Sequence, residues 1–326
     1  MTDKPAIFVT GGAGYVGSHA CLALEKAGFT PIAFDNLSAG DKNRVKFGPF
    51  VEGDIKSPLS LMAAIRHYKP VAVMHFAGLI SVGDSVKNPL STYHNNVTGT
   101  LALLAAMKET GVKHMVFSSS AAVYGAPEAT PIAENAPKAP LSPYGQTKLM
   151  AETILADCAA AGLLNYTALR YFNAAGATPE QGLGYNRADP THLIPLALQT
   201  VLGKRPALEI FGNDYNSLDG TAVRDYVHVA DLAEAHVAAL KYLLAGGESV
   251  ALNLGTSKGH SVLEVLAEVE KVTGKSVARV MRERRMGDAP VLVADAQLSK
   301  KVLDWSAKGS DLSQIIASDW AWHQTL

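Results

Sequence analysis

The sequence predicts an α/β fold in which a doubly wound parallel sheet is followed by a smaller C-terminal α/β domain. Two observations support this prediction. Short, continuously apolar runs alternate through the first half of the chain with longer segments of helical periodicity. A glycine-rich segment also joins the first apolar run to the first helical segment. Strands that alternate with helices need crossover connections, which lay the strands parallel in one sheet and place helices on both faces.

The individual elements follow from apolar runs bounded by glycine, proline and polar turn residues. Strands are predicted over residues 6–9, 31–35, 50–52, 71–76, 114–118 and 166–170. Helices are predicted over residues 15–27, 58–68, 89–110, 144–161, 230–244 and 262–273. After about Asn173 the alternation gives way to loops rich in glycine and proline. We therefore expect residues 1–173 to form one domain and residues 174–326 mainly a second, with some later segments returning to the first.

Composition excludes several classes of protein. The 326 residues are 48% apolar and 18% charged with a formal net charge of -1, so no basic face for nucleic acid or an anionic membrane is expected. Cys21 and Cys158 have no metal-ligand spacing and are predicted to be buried free thiols, with no metal site and no disulfide. No stretch approaches the ~20 apolar residues of a membrane span. We expect a cytoplasmic protein with no membrane or nucleic-acid partner.

The glycine-rich segment, residues 10–17, has the features of a dinucleotide-binding turn. It contains both G-x-x-G-x-x-G and G-x-G-x-x-G between a predicted strand and a predicted helix. Glycines permit the tight turn and let backbone N–H groups approach a pyrophosphate at the helix N-terminus. Asp35 ends the second strand, where a carboxylate accepts hydrogen bonds from ribose hydroxyls and repels a 2′-phosphate. The sequence therefore predicts a Rossmann-type site for NAD rather than NADP.

A second candidate site is formed by Tyr144 and Lys148, which lie four residues apart on one face of a predicted helix. A free phenol has a pKa of about 10 and is a poor base at neutral pH. A neighbouring ammonium and a positively charged nicotinamide ring both favour the phenolate. Residues 118–120 are serines that end the fifth strand and offer hydroxyls to the same site. Such a spacing alone usually marks a solvent-exposed helix face, but the glycine turn upstream favours proton and hydride chemistry.

These features resemble the extended, sugar-nucleotide-modifying branch of the short-chain dehydrogenase/reductase superfamily, and within it the UDP-glucose 4-epimerase family. The resemblance extends from the first strand to about Trp305. It rests on motifs that occur in the same order along the chain, namely 75–78 (HFAG), 95–97 (NNV), 118–125 (SSSAAVYG), 142–145 (SPYG), 170–173 (RYFN), 210–215 (IFGNDY), 223–228 (VRDYVH) and 284–288 (RRMGD).

The resemblance implies reversible interconversion of UDP-glucose and UDP-galactose by inversion at C4, through a transient 4-keto sugar and with tightly bound NAD. By the same resemblance Tyr144 is the base and Lys148 positions the nicotinamide ribose and lowers the tyrosine pKa. Ser120 is the hydrogen-bond partner of the sugar 4-hydroxyl. The positions that match the family's cofactor contacts are Gly11, Gly14, Tyr15, Val16, Gly17, Asp35, Asn36, Asp54, Ile55, Phe76, Ala77, Gly78, Asn95, Ser118, Tyr144, Lys148 and Tyr171.

The resemblance also implies a UDP-sugar site. Its matching positions are Ser120, Tyr144, Phe172, Asn173, His192, Leu193, Ile210, Phe211, Arg224, Tyr226, Arg285, Asp288 and Leu292. Two arginines in this set suit a diphosphate, because a guanidinium binds phosphate oxygens through two hydrogen bonds. The family also implies a homodimer, paired through the helices that follow the fourth and fifth strands.

The chain departs from the family pattern at three positions. Ile80 stands where the family has a lysine that touches the cofactor, and His192 where many members have an asparagine. Leu292 stands beside the hexose, where bacterial members restricted to unacetylated sugars have a tyrosine and broader members a smaller residue. We expect activity mainly on UDP-glucose and UDP-galactose, with partial activity on the N-acetylated forms.

Three other functions compete with this interpretation. A dehydratase of the same branch has an Asp-Glu pair after the strand-end hydroxyl, and a UDP-glucuronate decarboxylase has a glutamate there. Ala121 and Ala122 occupy those positions, so the acid is absent. A net NAD-dependent oxidoreductase would form product in step with external NADH. A non-catalytic nucleotide-sensing protein would have no need for the serine, tyrosine and lysine that this chain contains.

Overall fold

The computed structural model describes residues 4–187, 190–285 and 288–326. The strands are β1 (Ala6–Thr10), β2 (Thr30–Asp35), β3 (Phe50–Glu52), β4 (Ala72–His75), β5 (His114–Ser120), β6 (Asn165–Tyr171), β7 (Asn173–Ala175), β8 (Leu208–Phe211), β9 (Val223–His228), β10 (Val250–Leu254), β11 (Gly259–Ser261), β12 (Arg279–Arg282) and β13 (Val291–Leu292). The helices are α1 (Tyr15–Lys26), α2 (Pro58–Tyr68), α3 (Val82–Lys87), α4 (Pro89–Tyr93), α5 (Gly99–Thr110), α6 (Pro143–Ala160), α7 (Leu193–Val201), α8 (Val229–Leu244), α9 (Val262–Thr273), α10 (Gln297–Leu303) and α11 (Leu312–His323). A π-helical segment, His94–Thr98, joins α4 to α5.

Seven strands form the central sheet in the order β10-β6-β5-β4-β1-β2-β3, and every neighbouring pair is parallel. The chain winds outward in both directions from β1 and β4, and this switch point is where doubly wound sheets leave a crevice for ligands. Ile7, Phe8 and Val9 of β1 are inaccessible to solvent, which explains why that strand is apolar on both faces. The predicted fold class is confirmed.

Helices cover both faces of this sheet. On one face α1 and α8 pack together in a core cluster that includes Leu24 and Leu240. On the other face α2, α5 and α6 share a second cluster that includes Leu61, Leu103 and Leu155. The helix that follows the glycine turn and the helix that contains Tyr144 therefore lie on opposite faces, and both begin at the carboxyl edge of the sheet.

The predicted element boundaries agree with the structure to different degrees. Strand 50–52 and helices 58–68 and 262–273 are reproduced at both ends. The single helix predicted over 89–110 is wrong in detail, because the π-helical segment interrupts it. Strand β5 extends to Ser120 because its pairing with β6 continues to Tyr171, and such pairing is not visible in the sequence of either strand alone.

The second half of the chain builds smaller units. Strands β11, β9 and β13 form a sheet to which β7 is also paired, while β12 pairs with β8. Helices α7, α9 and α11 enclose a separate core that includes Ile194, Val265 and Ile315. Strand β10 leaves this half and pairs with β6 in the central sheet. Sequence patterns did not identify the short helices α3, α7, α10 and α11 or the strands β7 to β13.

Three further observations bear on the expectations from composition. Within the described ranges, no helix is both long enough and apolar enough to cross a bilayer. The same residues include no group of three or more His, Cys, Asp or Glu side chains that could hold a metal ion. Both cysteines are free thiols, and Cys21 is buried as predicted. The prediction is wrong for Cys158, which is only partly buried because it faces a groove between α5 and α6.

Candidate active site

The glycine turn is too crowded for side chains, as Gly11 and Gly17 show. Gly11 has a φ of +74°, and a Cβ atom there would lie 2.6 Å from the backbone nitrogen of Ala77. A Cβ atom on Gly17 would lie 2.1 Å from the carbonyl oxygen of Gly11. Within the described chain no side chain caps α1 at Gly14, and its first turn has no acidic residue. Backbone N–H groups at the start of α1 are thus free for an anion, as a pyrophosphate requires.

Asp35 is held beside this turn at the end of β2. Its carboxylate accepts hydrogen bonds from the backbone N–H groups of Ala13 at 3.1 Å and Leu37 at 2.9 Å. Burial raises the pKa of Asp35, while these two hydrogen bonds lower it. The Asn36 amide donates to the Asp54 carboxylate at 3.2 Å, so the ends of β2 and β3 are joined. This edge presents hydrogen-bonding groups suited to a ribose.

The loop after β4 closes the opposite side of the turn. The backbone N–H groups of Phe76 and Ala77 both donate to the carbonyl of Thr10, at 3.0 and 3.1 Å. Gly78 follows, and Asn96 then fixes the next residue, Leu79. The Asn96 amide accepts from the Leu79 N–H at 2.8 Å and donates to the Leu79 carbonyl at 3.0 Å.

Asn96 organises this site through its side-chain hydrogen bonds, whereas the sequence predicts only the neighbouring Asn95 as a cofactor contact. Its amide group also donates to the Thr147 hydroxyl at 3.0 Å and accepts from the Asn95 amide at 3.1 Å. Asn96 thereby ties the loop after β4 to α6. Its position in a π-helical segment, a form often found at functional sites, gives no signal in the sequence. The available signal was an amide at a position of the helical pattern that the apolar residues mark as buried.

Tyr144 and Lys148 lie in the first turns of α6, which begins at the carboxyl edge of the sheet. Ser142 caps this helix by accepting a hydrogen bond from the Gly145 N–H at 3.2 Å, and Pro143 occupies the first helical position. The Lys148 ammonium donates to the Ser118 carbonyl at 2.6 Å. Its nitrogen lies 5.9 Å from the centre of the Tyr144 ring. The two side chains are therefore neighbours over the end of β5.

The electrostatics of this pair differ in part from expectation. Burial lowers the pKa of Lys148 to about 8, and the carboxylate of Glu152 raises it. Burial raises the pKa of Tyr144 above its ordinary value, the nearby Tyr171 raises it further, and a hydrogen bond with Ser120 lowers it. The lysine nitrogen is directed to the Ser118 carbonyl, and burial has the largest effect on the tyrosine pKa. A phenolate at this position needs further positive charge nearby.

The remaining predicted cofactor residues lie at or just beyond the carboxyl ends of the strands. The Ser118 hydroxyl is 2.6 Å from the Tyr171 hydroxyl, so these two share a hydrogen bond. Ile55 is buried, packed where Gly99 leaves no room for a side chain. Tyr15 directs its hydroxyl to the Gly176 carbonyl at 2.5 Å, so its side chain contacts the second half of the chain. Val16 follows it in the first turn of α1.

Some of the predicted substrate residues cluster around β9 and β13. Arg224 pairs in register with Leu292, the residue expected beside the hexose, and its guanidinium donates to the Val223 carbonyl at 2.8 Å. The Asn173 amide donates to the Asp225 carbonyl at 3.2 Å, which joins the start of β7 to the same strand. Phe172 packs with Leu292 against the buried residues that follow Ser120.

Other predicted substrate residues lie outside this group around β9 and β13. The Arg285 guanidinium lies 3.7 Å from the centre of the Phe211 ring. Asp288 is exposed, and His192 precedes Leu193 at the N-terminus of α7. Burial lowers the pKa of His192 to about 4, and the charge of Arg187 lowers it too, so this imidazole is neutral at pH 7. The side chains of Ile210 and Tyr226 belong to the core of the second half rather than to an open cleft. The motif at 284–288 includes Met286 and Gly287, which lie outside the described residues.

The chain is similar in sequence and in fold to known proteins. A model of the NAD dependent epimerase/dehydratase family matches residues 7–255. The UDP-glucose 4-epimerase of Rhizobium leguminosarum bv. trifolii is 48% identical over 317 residues, which cover 97% of this chain and 97% of that relative. The crystal structure of UDP-glucose 4-epimerase from Brucella ovis in complex with NAD has 46% identity and a TM-score of 0.95, with 97% of each chain covered. The enzyme from Stenotrophomonas maltophila, solved with bound NAD and formylated UDP-arabinopyranose, has 42% identity and a TM-score of 0.95, with 98% of each chain covered.

Proposed function

The chain belongs to the NAD dependent epimerase/dehydratase family, and we propose that it interconverts UDP-glucose and UDP-galactose by inverting C4 through a transient 4-keto sugar. One observation supports this most strongly. Tyr144, Lys148 and Ser120 converge at the carboxyl edge of the sheet beside the glycine turn, and Ala121 and Ala122 follow where a dehydratase needs acids. The site can move a proton on and off an oxygen but has no acid there to expel that oxygen as water.

The residues at the glycine turn fit NAD. Gly11 and Gly17 let the turn pack backbone against backbone, the uncapped first turn of α1 offers N–H groups to a pyrophosphate, and Asp35 is placed for the ribose hydroxyls. NAD, when bound, supplies a two-electron acceptor that is restored within each turnover. Both the Brucella ovis and the Stenotrophomonas maltophila enzymes were solved with this cofactor.

Tyr144 is the proton-transfer group in this proposal. It takes the proton of the sugar 4-hydroxyl as C4 is oxidised and returns a proton to the 4-keto oxygen as C4 is reduced on its other face. Ser120 lies close enough to the Tyr144 phenol to lower its pKa, and in this proposal its hydroxyl also bonds to the same sugar oxygen. Lys148, anchored on the Ser118 carbonyl, holds a positive charge near the phenol and near the nicotinamide ribose.

The UDP group is held by the second half of the chain in this proposal. Arg224 and Arg285 bind the diphosphate, whose charge two guanidinium groups neutralise through paired hydrogen bonds. Stacking on Phe211 orients Arg285 before any ligand arrives. Residues 1–173 then bind NAD, and residues 174–326 mainly bind the UDP-sugar, although β10 and α8 complete the first unit.

Leu292 sets the size of the hexose pocket. It lies beside Arg224 and packs with Phe172, and its aliphatic side chain occupies less space than a phenol ring. We therefore propose preference for UDP-glucose and UDP-galactose with partial activity on the N-acetylated sugars. Turnover of UDP-N-acetylglucosamine as fast as that of UDP-glucose would contradict this preference.

The decisive experiment follows UDP-galactose to UDP-glucose with the purified protein and no added NAD. We expect conversion, release of NAD on denaturation, and no accumulation of NADH, because both half-reactions occur on one bound cofactor. Substitution Tyr144→Phe removes the proton-transfer group and should lower kcat by about 10²–10⁴-fold. A net oxidoreductase would instead need external cofactor and would form NADH with product.

We also propose a homodimer in the cytoplasm. The first turns of α5 expose the apolar residues Leu101 and Ala105 one turn apart, ahead of the exposed Lys108 and Glu109, and a groove of about 190 Å³ separates the helix from α6. A helix with apolar residues on its solvent side is normally covered by another element, here a second copy of the chain. The free thiols Cys21 and Cys158 are consistent with a reducing compartment.

A further inference from the structure

A buried ion pair lies directly beneath the reacting residues Tyr144 and Lys148. Glu152 is one turn further along α6 than Lys148, and its carboxylate meets the guanidinium of Arg170 from β6. The nitrogen Nε of Arg170 donates to both carboxylate oxygens, at 2.9 and 3.2 Å, and Nη2 donates at 2.5 Å. Glu152 is 6% exposed and Arg170 3%. The attraction within such a pair is largely offset by the cost of removing both charges from water, so the geometry that the pair imposes on its neighbours is the feature to test.

The same carboxylate binds the end of β5. The hydroxyl of Ser119, a residue with no solvent exposure, donates to Oε1 of Glu152 at 2.5 Å. Ser119 and Arg170 are register partners in the parallel pair of β5 and β6. Glu152 therefore joins three elements, α6, β5 and β6, at a single point.

This point lies behind the serines that serve the reacting residues. Successive side chains of a strand face opposite sides, so Ser119 points toward α6 while Ser118 and Ser120 point away from it. The carbonyl of Ser118 anchors Lys148, and the hydroxyl of Ser120 lies close enough to the Tyr144 phenol to lower its pKa. A shift of Ser119 along the strand would move both partners together.

The network also continues away from the site. The Nη1 group of Arg170 donates to the Tyr124 hydroxyl at 2.8 Å and to the Glu134 carbonyl at 3.1 Å. The Tyr124 hydroxyl donates in turn to the side chain of Asn253 on β10 at 2.7 Å. The segment that follows β5 is thus bonded to the same guanidinium. These contacts fix the orientation of Arg170, and Arg170 in turn fixes the orientation of the Glu152 carboxylate.

We propose that Glu152 is a positioning residue for the reaction. Together with Arg170 it holds Ser119, and it thereby fixes the last residues of β5 under the reacting pair. This inference rests on the proposed epimerase function, because it is expressed in the chemistry of that pair. It assigns roles to a glutamate and an arginine that contact neither cofactor nor sugar.

The charges around Lys148 allow a test that distinguishes positioning from mere stability. The titratable groups that face Lys148 are Tyr144 and Glu152 on α6 and His75 from β4. His75 is neutral at assay pH because burial, aided by the lysine charge, lowers its pKa to about 3. The Glu152 carboxylate raises the pKa of Lys148, so its removal should let the lysine lose its proton at a lower pH. Arg170, left without its counter-ion, would move the lysine pKa in the same direction.

The experiment compares Ser119→Ala and Glu152→Gln with the wild type in UDP-galactose conversion across pH. We expect Ser119→Ala to lower kcat about tenfold, the effect of losing one charge-assisted hydrogen bond, with KM changed less than about twofold. The alkaline limb of its kcat–pH profile should stay at the wild-type pH, because the Glu152 carboxylate that raises the Lys148 pKa is still present. Glu152→Gln should lower kcat and also move the alkaline limb of the kcat profile to lower pH.

The matched control is Thr167→Val, a similar deletion of a buried hydroxyl on β6. The Thr167 hydroxyl has no hydrogen-bond partner among the residues that the structure describes, so kcat and the pH profile should remain those of the wild type. Equal kcat in Ser119→Ala and Thr167→Val, or an unmoved alkaline limb in Glu152→Gln, would overturn the proposal. If Glu152→Gln does not fold, the comparison of the two hydroxyl deletions decides it. Absence of conversion by the wild type would instead refute the proposed function.

Discussion

At the scale of single residues, the site is defined more by missing side chains than by charged ones. Gly17 is the extreme case, because the carbonyl of Gly11 occupies the place of a Cβ atom. An added methyl group must push the carbonyl of Gly11 away from the first turn of α1, where the free backbone N–H groups lie. The start of α1 would then move away from the position in which it can hold a pyrophosphate.

We predict that Gly17→Ala lowers the amount of NAD that stays bound through purification by a factor of at least about ten. The measurement is the dinucleotide released per chain on denaturation. Gly83→Ala is the matched control, since a Cβ atom on Gly83 meets nothing within 4 Å. Normal NAD content in Gly17→Ala, with conversion retained, would show that the turn does not bind the cofactor.

Residues with chemical signatures could be named from the sequence, whereas those that orient them could not. Tyr144 and Lys148 share a helix face and Asp35 ends a strand, and the glycine turn upstream indicates that these positions belong to a site. Asn96 and Glu152 act through partners from distant parts of the chain, and no local pattern marks such partners. The assignment of individual cofactor and substrate contacts stays a prediction.

At the scale of elements, the connection from α4 to α5 shows that helical periodicity predicts a helix but not its distortions. Residues 89–110 have continuous helical periodicity, yet five of them, His94–Thr98, adopt the wider π form. The wider turn accompanies the inward amide of Asn96, which bonds to the loop after β4 and to α6. The sequence predicts a helix here correctly but cannot predict a distortion that depends on two other elements.

Helix α5 also leads to a prediction about assembly. Leu101 is 48% exposed on its outer face, at the rim of the groove shared with α6. A charge at this position should prevent a second copy from packing there, so we expect Leu101→Glu to be monomeric. The measurement is molar mass in solution by light scattering.

The control for this experiment is Leu218→Glu, because Leu218 is fully exposed in a loop of the second half. That variant should keep the mass of the wild type, which we expect to be dimeric. A monomeric wild type, or a Leu101→Glu protein that remains dimeric, would exclude α5 as the subunit interface.

At the scale of the whole molecule, the first half of the fold could be predicted from the sequence, whereas in the second half only helices 230–244 and 262–273 could. The strands of the central sheet are buried on both faces and read as uniform apolar runs, as in Ile7 to Val9. In the second half the strands are short and pair with distant segments, such as β13 with β9. Their sequences hold few residues and mixed faces, so periodicity gives no clear signal.

The return of β10 to the central sheet has a consequence for how the protein is made. A chain leaving the ribosome has completed β6 long before residues 250–254 are available to cover that edge. Until then β6 is an open template for pairing with other chains, and α1 has no α8 to pack against. The chain is therefore most prone to aggregation while only its first half has been synthesised. A protein truncated after residue 173 would keep the β6 edge exposed and should aggregate.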